Sequence, residues 1–367
     1  MKKVLTVVSV FLLGLFLVSC SDNKKSEWNI LMITDVGTIT DKSFNQGTWE
    51  GVEAFTKKHD NVKSEYYRPT AGTKAEYLQA IDLAVGNGAN VIVTPGYLFE
   101  TAIFEAQKTY PDVYFILIDG EPHNDDYSVY ETKKNTVNIL FQEEQSGFLA
   151  GYAAVADGFT KLGFMGGMEV PAVQKFGIGY VAGAYYAANE LEKTITFPAN
   201  RYEYLGDFDN KPEHTTKAES WYASDTDIIF ASAGGAGNAV MKAAENRSKK
   251  VIGVDVDQSS QSNTVISSAM KQLGNAVDQV LTELIVDDAW KGGTTITKGA
   301  AEDAVGLPLG TSFKWTTFTT SQYNTIFDSL KNKTIVVPST KAQLATFLNE
   351  KAGNPSVSAL VDKTETK

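Results

Sequence analysis

Residues 91–119 read VIVTPGYLFETAIFEAQKTYPDVYFILID. Two short apolar runs, VIVT at 91–94 and YFILI at 114–118, flank a stretch whose apolar residues have helical spacing between Phe99 and Tyr110. Each run is continuously apolar rather than alternating, which is typical of parallel strands covered on both faces. The segment therefore predicts a right-handed strand–helix–strand unit in an open, mainly parallel sheet.

The same alternation of strands and helices begins at Trp28 and starts again near residue 139. The chain has 367 residues, more than the roughly 250–300 over which a single hydrophobic core grows. We therefore predict an α/β protein with two Rossmann-like lobes. We assign residues 28–139 and 265–305 to the first lobe, and residues 140–264 and 306–350 to the second. A long helix is predicted over 269–286, and the polar tail 351–367 is expected to be disordered.

The N-terminal segment MKKVLTVVSVFLLGLFLVSC has two lysines, an apolar run and then Cys20, the one cysteine of the chain. The run is shorter than the roughly 20 residues that span a membrane and is typical of a secretory signal. Ser19-Cys20 resembles the lipobox of bacterial lipoproteins. We expect residues 1–19 to be a signal peptide, Cys20 to be lipidated and 20–27 to be a tether at the cell membrane; the alternative is a plain signal peptide.

Composition and motifs exclude several function classes. The net charge of −11 argues against nucleic-acid binding. One cysteine and three scattered histidines give no metal site of the common types. The chain has no Gly-x-Gly-x-x-Gly fingerprint, P-loop or nucleophile elbow. We therefore expect no catalytic residues, no metal and no cofactor, and we do not expect an enzyme.

Candidate binding residues follow the predicted strands, because ligands of open α/β sheets bind beyond the carboxyl ends of strands. These positions are rich in aspartate, phenylalanine and glycine, which suits recognition: carboxylates accept hydroxyl hydrogens, aromatic faces stack, and glycine allows close backbone approach. Asp41 could instead cap a helix, and Phe44 could be a core residue. The candidate site residues are Asp35, Phe44, Asn45, Asp119, Phe176, Phe208, Gly234, Gly235, Asp255 and Lys271.

Seven segments, in order along the chain, resemble the basic membrane protein family, the purine nucleoside receptor group of bacterial substrate-binding lipoproteins. They are TDVGTITDKSFNQGTWEG (34–51), FILID (115–119), FQEEQSGFLAGYAA (141–154), LGFMGGMEVPAVQKFGIGYVAGA (162–184), IIFASAGGAGNAV (228–240), VIGVDVDQ (251–258) and VISSAMK (265–271).

This resemblance implies a type I periplasmic-binding fold, with two hinged lobes and a purine nucleoside (adenosine, guanosine or inosine) in the cleft. It implies that Asp35 and Asn45 bind the base edge, and that Phe44 stacks on one face of the base. Phe176 and Phe208 both remain candidates for the other face. Asp119, Asp255 and Lys271 would bind the ribose, and Gly234 and Gly235 would allow close backbone approach. The expected partner is the permease of an ABC importer.

Two other functions remain open from the sequence. Aromatic and carboxylate residues also suit a sugar or another small polar metabolite, as in neighbouring families with this fold. A surface lipoprotein used for adhesion or immune contact is the third hypothesis, although the set of cleft residues argues against it.

Overall fold

The computed structural model describes residues 27–353 and 355–366. The predicted signal peptide, the lipidation at Cys20 and all but the last residue of the predicted tether lie outside these residues. Within the described ranges, no helix is both long enough and apolar enough to cross a membrane.

The described part of the chain alternates between strands and helices over most of its length. The strands are β1 (Trp28–Ile33), β2 (Val62–Tyr67), β3 (Val91–Pro95), β4 (Tyr114–Ile118), β5 (Thr136–Phe141), β6 (Leu162–Gly166), β7 (Tyr202–Tyr204), β8 (Ile228–Ser232), β9 (Lys250–Asp255), β10 (Val265–Lys271), β11 (Thr294–Lys298) and β12 (Val305–Gly306). The helices are α1 (Phe44–Lys58), α2 (Lys74–Gly86), α3 (Glu100–Thr109), α4 (Glu143–Ala156), α5 (Pro171–Glu190), α6 (Pro212–Ala223), α7 (Gly237–Arg247), α8 (Leu273–Ile285), α9 (Thr320–Lys331), α10 (Lys341–Lys351) and α11 (Ser358–Thr364).

These strands form two sheets, one in each lobe. The first sheet has the order β11-β5-β4-β3-β1-β2, and all its pairings are parallel. The second has the order β12-β10-β9-β8-β6-β7, and β12 runs antiparallel to its neighbour β10. All five residues of β3 and of β8 are buried, because helices cover both faces of each sheet. The same strand order, with the second strand outside the first, supports the internal repeat noted in the sequence.

The chain passes between the lobes at three places, which define the hinge. The first lies between β5 and α4, the second between β10 and α8, and the third between β11 and β12. Helix α4 packs on α5 and β10 of the second lobe, whereas α8 packs on α1 of the first. Two of these crossings are single residues, Gln142 and Gln272, so the ends of β5 and β10 lie at the base of the cleft between the lobes.

The predicted lobe boundary at 265 is wrong, and the helix predicted over 269–286 starts too early, because α8 is Leu273–Ile285. Residues 265–271 form β10, which pairs with β9 in the second sheet, and only the part from Leu273 onward is helical. The strand is hard to detect because it contains Ser267 and Ser268, which are both fully buried. The Ser268 hydroxyl accepts a hydrogen bond from the backbone N–H of Gln258, which satisfies a polar group inside the core.

The predicted disorder of the tail is also wrong for the residues that the structure describes. Helix α11 packs against α5 and buries Leu360 and Val361. The Tyr204 hydroxyl donates a hydrogen bond of 2.6 Å to the carbonyl of Thr364. A short apolar turn in a polar segment is enough to hold the tail on the second lobe.

Helices α4 and α5 approach each other closely through glycines, and this contact positions one wall of the cleft. A Cβ atom at Gly179 would overlap the carbonyl oxygen of Glu144, and one at Gly147 would overlap the carbonyl oxygen of Phe176. Only glycine permits backbones to pack at this distance. The first turn of α4 and the segment around Phe176 are therefore held together as one rigid unit.

Candidate functional site

A cavity of about 300 Å³ lies between the lobes, beyond the carboxyl ends of the parallel strands. This is the place where open α/β sheets bind ligands, and the volume is at the lower end of that of small-molecule sites. The structure brings all ten predicted site residues together in its walls, while their contacts with a ligand remain a prediction. The ten are Asp35, Phe44, Asn45, Asp119, Phe176, Phe208, Gly234, Gly235, Asp255 and Lys271.

One end of the cavity is built around Asp35, which follows β1. Its Oδ1 accepts hydrogen bonds from the backbone N–H of Gly37 (2.6 Å) and from Nδ2 of Asn45 (2.9 Å). Among the described residues, Oδ2 has no hydrogen-bond partner. An ideal Cβ on Gly96 would lie 3.8 Å from this oxygen and 3.7 Å from Cε1 of Phe44. The available oxygen and the edge of the Phe44 ring therefore both lie beside Gly96.

Burial raises the pKa of Asp35 from 3.8 to about 6, although its two hydrogen-bond donors oppose the shift. Desolvation disfavours the charged form of a carboxyl group, and only 8% of Asp35 is exposed. The group is thus mainly a hydrogen-bond acceptor at neutral pH and becomes a donor a little below it.

Asp41 and Asn45 order the loop that carries Asp35. Asp41 accepts hydrogen bonds from the backbone N–H groups of Ser43, Asn45 and Gln46 at the start of α1. The Asn45 side chain donates one amide hydrogen to Asp35 and the other to Asp41, each over 2.9 Å. Asn45 therefore positions the Asp35 carboxylate, and Asp41, which also lines the cavity, does cap the helix.

Three phenylalanines contribute to the walls, but they differ in exposure. Phe44, the first residue of α1, and Phe208, in the loop after β7, are half-buried. Phe176 is 1% exposed and packs edge-on against Phe230, with the ring centroids 5.9 Å apart. Phe208 lies against Gly234 and Gly235: added Cβ atoms there would come within 3.3 Å of its ring and 2.8 Å of its carbonyl oxygen. In this conformation, the glycine pair makes room for Phe208.

Lys271, the last residue of β10, lies at the other end among three carboxylates. Its Nζ contacts Asp119 and lies 3.4 Å from Asp255 Oδ1 and 3.6 Å from Glu143 Oε1. The ammonium is also 4.4 Å from the centroid of the Phe44 ring, within the range of a cation–π contact. The lysine side chain is only 2% exposed, so it is a buried cation at the base of the cleft rather than a solvated helix residue.

The pKa values in this cluster reflect strong coupling between the groups. Burial alone would lower the pKa of Lys271, but the charges of Asp119, Asp255 and Glu143 outweigh burial and raise it. Burial raises the pKa of Asp119 to about 7; Lys271 opposes that shift, and the charges of Glu143 and Asp255 add to it. Among the described residues, Oδ1 of Asp119 has no hydrogen-bond partner, which makes it available to a ligand hydroxyl.

Asp119 and Asp255 occupy equivalent positions in the two lobes. Asp119 directly follows β4 and Asp255 ends β9, the corresponding strand of the second sheet. Both have left-handed backbone conformations, with φ of 57° and 66°, which aspartate tolerates better than most residues. Lys271 therefore lies between one carboxylate from each lobe and links them electrostatically.

The sequence reasoning missed several cavity residues, and Arg68 is the most informative. Arg68 directly follows β2 and lines the cavity near Asp35. Its position at the end of a strand is the signal that could have identified it. Glu143 also lies outside the predicted set: its Oε1 is 3.6 Å from Lys271 Nζ, although it does not line the cavity.

Comparisons with known proteins agree with this architecture. Residues 29–341 match the model of the Bmp family, described as ABC transporter substrate-binding protein PnrA-like. The chain belongs to this family. It is 30% identical to Basic membrane protein B of Borreliella burgdorferi over 356 residues, covering 94% of this chain and 98% of that protein. It is 29% identical to the ABC transporter nucleoside-binding protein BmpA of Lactococcus lactis, covering 79% of this chain and 84% of that protein.

The predicted fold class is confirmed by solved structures. An ABC transporter solute-binding protein from Aeropyrum pernix superposes with a TM-score of 0.68 and 21% identity, covering 92% of this chain and 99% of that one. The protein is therefore a substrate-binding protein of an ABC transporter with a type I periplasmic-binding fold. Substrate-binding proteins of ABC transporters act outside the cytoplasm.

Proposed function

We propose that this protein captures purine nucleosides in its interlobe cavity and delivers them to an ABC permease from a lipid anchor at Cys20. The observation that carries the proposal is the arrangement of the cavity: aromatic rings and carboxylates converge on it from both lobes, with Lys271 between the carboxylates. The nucleoside-binding description of the Lactococcus relative supports the same ligand class.

The base is proposed to lie between Phe44 and Phe208. Both rings line the cavity and retain exposed surface, and they come from opposite lobes. Phe176 has almost no exposed surface to offer, which favours Phe208 for the second face. Aromatic stacking contributes about 0.5–1.5 kcal/mol per pair beyond the burial of area, and it tolerates different purines. In this assignment, Asp35 binds the base edge and Asn45 positions Asp35.

The ribose is proposed to bind at the opposite end, where Asp119 and Asp255 accept hydrogen bonds from its hydroxyls and Lys271 donates one. A hydrogen bond to a charged group contributes about 1.5–3 kcal/mol, so this end would distinguish nucleosides from free bases. Because one carboxylate comes from each lobe, a ribose here would also hold the lobes together.

Closure of the lobes is the signal proposed to reach the permease. In the present conformation the Ser43 hydroxyl of the first lobe donates to Asp255 Oδ2 of the second over 2.5 Å. Gln258 Nε2 likewise donates to the Lys42 carbonyl across the cleft over 2.7 Å. A ligand that contacts both lobes binds the closed form more tightly, and this difference shifts the population toward it.

The ligand class can be tested by thermal denaturation of the purified protein, after removal of any retained ligand, with adenosine, guanosine, inosine, ribose and galactose. A ligand at 100 times its dissociation constant stabilises the folded state by about 2.7 kcal/mol. We expect the nucleosides to raise Tm by at least about 2 °C. The Asp119→Asn variant should lose this response, and Asp112→Asn, at an exposed position in the first lobe, should keep it. A shift with a sugar and with none of the nucleosides would overturn the proposal in favour of a sugar receptor.

The lipid anchor has a separate test. We expect the native protein to fractionate with membranes and its mature N-terminal peptide to carry the mass of a lipidated cysteine. The Cys20→Ser variant should be found in the soluble fraction with unchanged nucleoside binding. Membrane fractionation that is the same for both forms would contradict lipidation at Cys20.

A further inference from the structure

Arg68 lies at the same end of the cavity as Asp35 and has hydrogen-bond donors to spare. It follows β2, the neighbour of β1 in the first sheet, and its Nη2 donates to the carbonyl of Val36 over 3.0 Å. Among the described residues, neither Nε nor Nη1 has a hydrogen-bond partner. A guanidinium has five N–H donors in a planar fork, so this contact orients the group and leaves several donors available.

The two cations of the cavity have different surroundings. Among its described lining residues, Arg68 and Lys271 are the only lysine or arginine side chains. Lys271 is fully enclosed by Asp119, Asp255 and Glu143. Arg68 is exposed, and its charge lowers the pKa of Asp35 against the larger effect of burial. Arg68 is therefore the cation at the Asp35 end of the cavity, and it is not enclosed by carboxylates.

This end of the cavity consequently presents a donor beside an acceptor. The acceptor is Asp35 Oδ2, which like the edge of the Phe44 ring lies beside Gly96, and the donors are those of Arg68. The six-membered ring of a 6-oxopurine carries the complementary pair, with the O6 acceptor adjacent to the N1–H donor. Adenine carries the reverse pair, an amino group at C6 and an unprotonated N1. Its amino hydrogens would face the donors of Arg68, and its N1 lone pair would face the carboxylate.

We propose that Arg68 and Asp35 together select 6-oxopurine nucleosides, such as inosine and guanosine, over adenosine, with Arg68 donating to O6 and Asp35 accepting N1–H. This inference rests on the proposed function, because it assigns which purines the same cavity prefers. A mismatched polar edge discriminates strongly, since a bound ligand covers donors and acceptors that are then left without partners.

The test is isothermal titration calorimetry of inosine and adenosine on the ligand-stripped protein and on the Arg68→Ala, Arg68→Lys and Arg247→Ala variants. We expect the wild-type protein to bind inosine at least about 10-fold more tightly than adenosine. Arg68→Ala should weaken the binding of inosine about 10-fold and the binding of adenosine less than about 3-fold. Arg68→Lys, which keeps the charge but loses the planar fork, should give an intermediate preference. Arg247→Ala removes an exposed arginine of the second lobe and should leave the affinities for inosine and adenosine unchanged.

The outcomes separate this inference from the function on which it rests. If the wild-type protein binds nucleosides but prefers adenosine, or if Arg68→Ala weakens both ligands equally, the selection by Arg68 is refuted and nucleoside binding stands. If the wild-type protein binds neither nucleoside, both the proposed function and this inference are refuted. Thermal denaturation without ligand checks folding, and we expect no change because Arg68 is exposed.

Discussion

Replacing Lys271 with methionine tests the charge cluster at the base of the cleft. The substitution keeps most of the aliphatic volume but leaves Asp119, Asp255 and Glu143 without the cation that contacts all three. The lysine side chain is 2% exposed, so water cannot replace it. Removing one partner of a buried ion pair costs about 3–5 kcal/mol. We therefore expect the K271M variant to lose about that much of its free energy of unfolding at pH 9.

The loss should become smaller as the pH falls from 9 to about 7. Burial raises the pKa of Asp119 to about 7 in the wild-type protein, where Lys271 opposes the shift. Without Lys271, the pKa of Asp119 in the folded state rises further. Between its pKa in the wild type and its pKa in the variant, the folded variant therefore binds more protons than the folded wild type. As the pH falls through that interval, the variant recovers up to about 1.4 kcal/mol of its free energy of unfolding per pH unit. We expect the difference between the two proteins to be about 1–2 kcal/mol smaller at pH 6.5 than at pH 9.

The assay is urea denaturation followed by tryptophan fluorescence at both pH values. The matched control is Lys58→Met, which removes an ion pair of 2.8 Å with Asp278 whose side chains are 60% and 34% exposed. Exposed pairs contribute about 0–1 kcal/mol, so this variant should stay close to the wild type. The reasoning would be refuted if Lys271→Met, like the control, changed stability by less than about 1 kcal/mol at both pH values.

Three further predictions concern the base end and the helix contact. Folding raises the pKa of Asp35 from 3.8 to about 6. Asp35→Asn should therefore increase the free energy of unfolding at pH 8 by up to about 3 kcal/mol and weaken the binding of inosine. A lower free energy of unfolding in urea denaturation would contradict this. The ratio of inosine affinity to adenosine affinity should fall when the pH is lowered from 7.5 to 5, because Asp35 takes up a proton. If calorimetry finds the same ratio at both pH values, Asp35 is not the acceptor of N1–H. Gly179→Ala should cost about 1–3 kcal/mol in urea denaturation, whereas Gly86→Ala, with open space around it, should be neutral; equal effects would contradict the close helix contact.

Much of the fold could be predicted because its main strands are short, continuous apolar runs. The segments VIVT and YFILI correspond to β3 and β4, and the helical spacing between Phe99 and Tyr110 corresponds to α3. The strand β10 was misassigned because Ser267 and Ser268 are buried with polar side chains, which apolar patterning does not detect. The helices after residue 300 were missed because their apolar faces are short and interrupted.

The site could be predicted as a set of positions but not as a set of contacts. Strand ends place Asp35, Asp119 and Asp255 at one edge of each sheet, and the structure brings them into one cavity. Sequence spacing does not reveal that both amide hydrogens of Asn45 are engaged by carboxylates, or that Phe176 is buried while Phe208 is not. These facts depend on how side chains pack within each lobe, and that is a property of the tertiary structure.

The central claim is that a nucleoside occupies the cleft with its ribose on the carboxylates that Asp119 and Asp255 contribute from the two lobes. The most direct measurement is calorimetric binding of guanosine and of guanine to the wild-type protein and to the Asp255→Ala variant. We predict that the variant weakens guanosine by about 10- to 100-fold and guanine only slightly, because the free base has no hydroxyls to bind there. Equal losses for guanosine and guanine would contradict the assignment of Asp255 to the ribose and with it the proposed arrangement of the ligand.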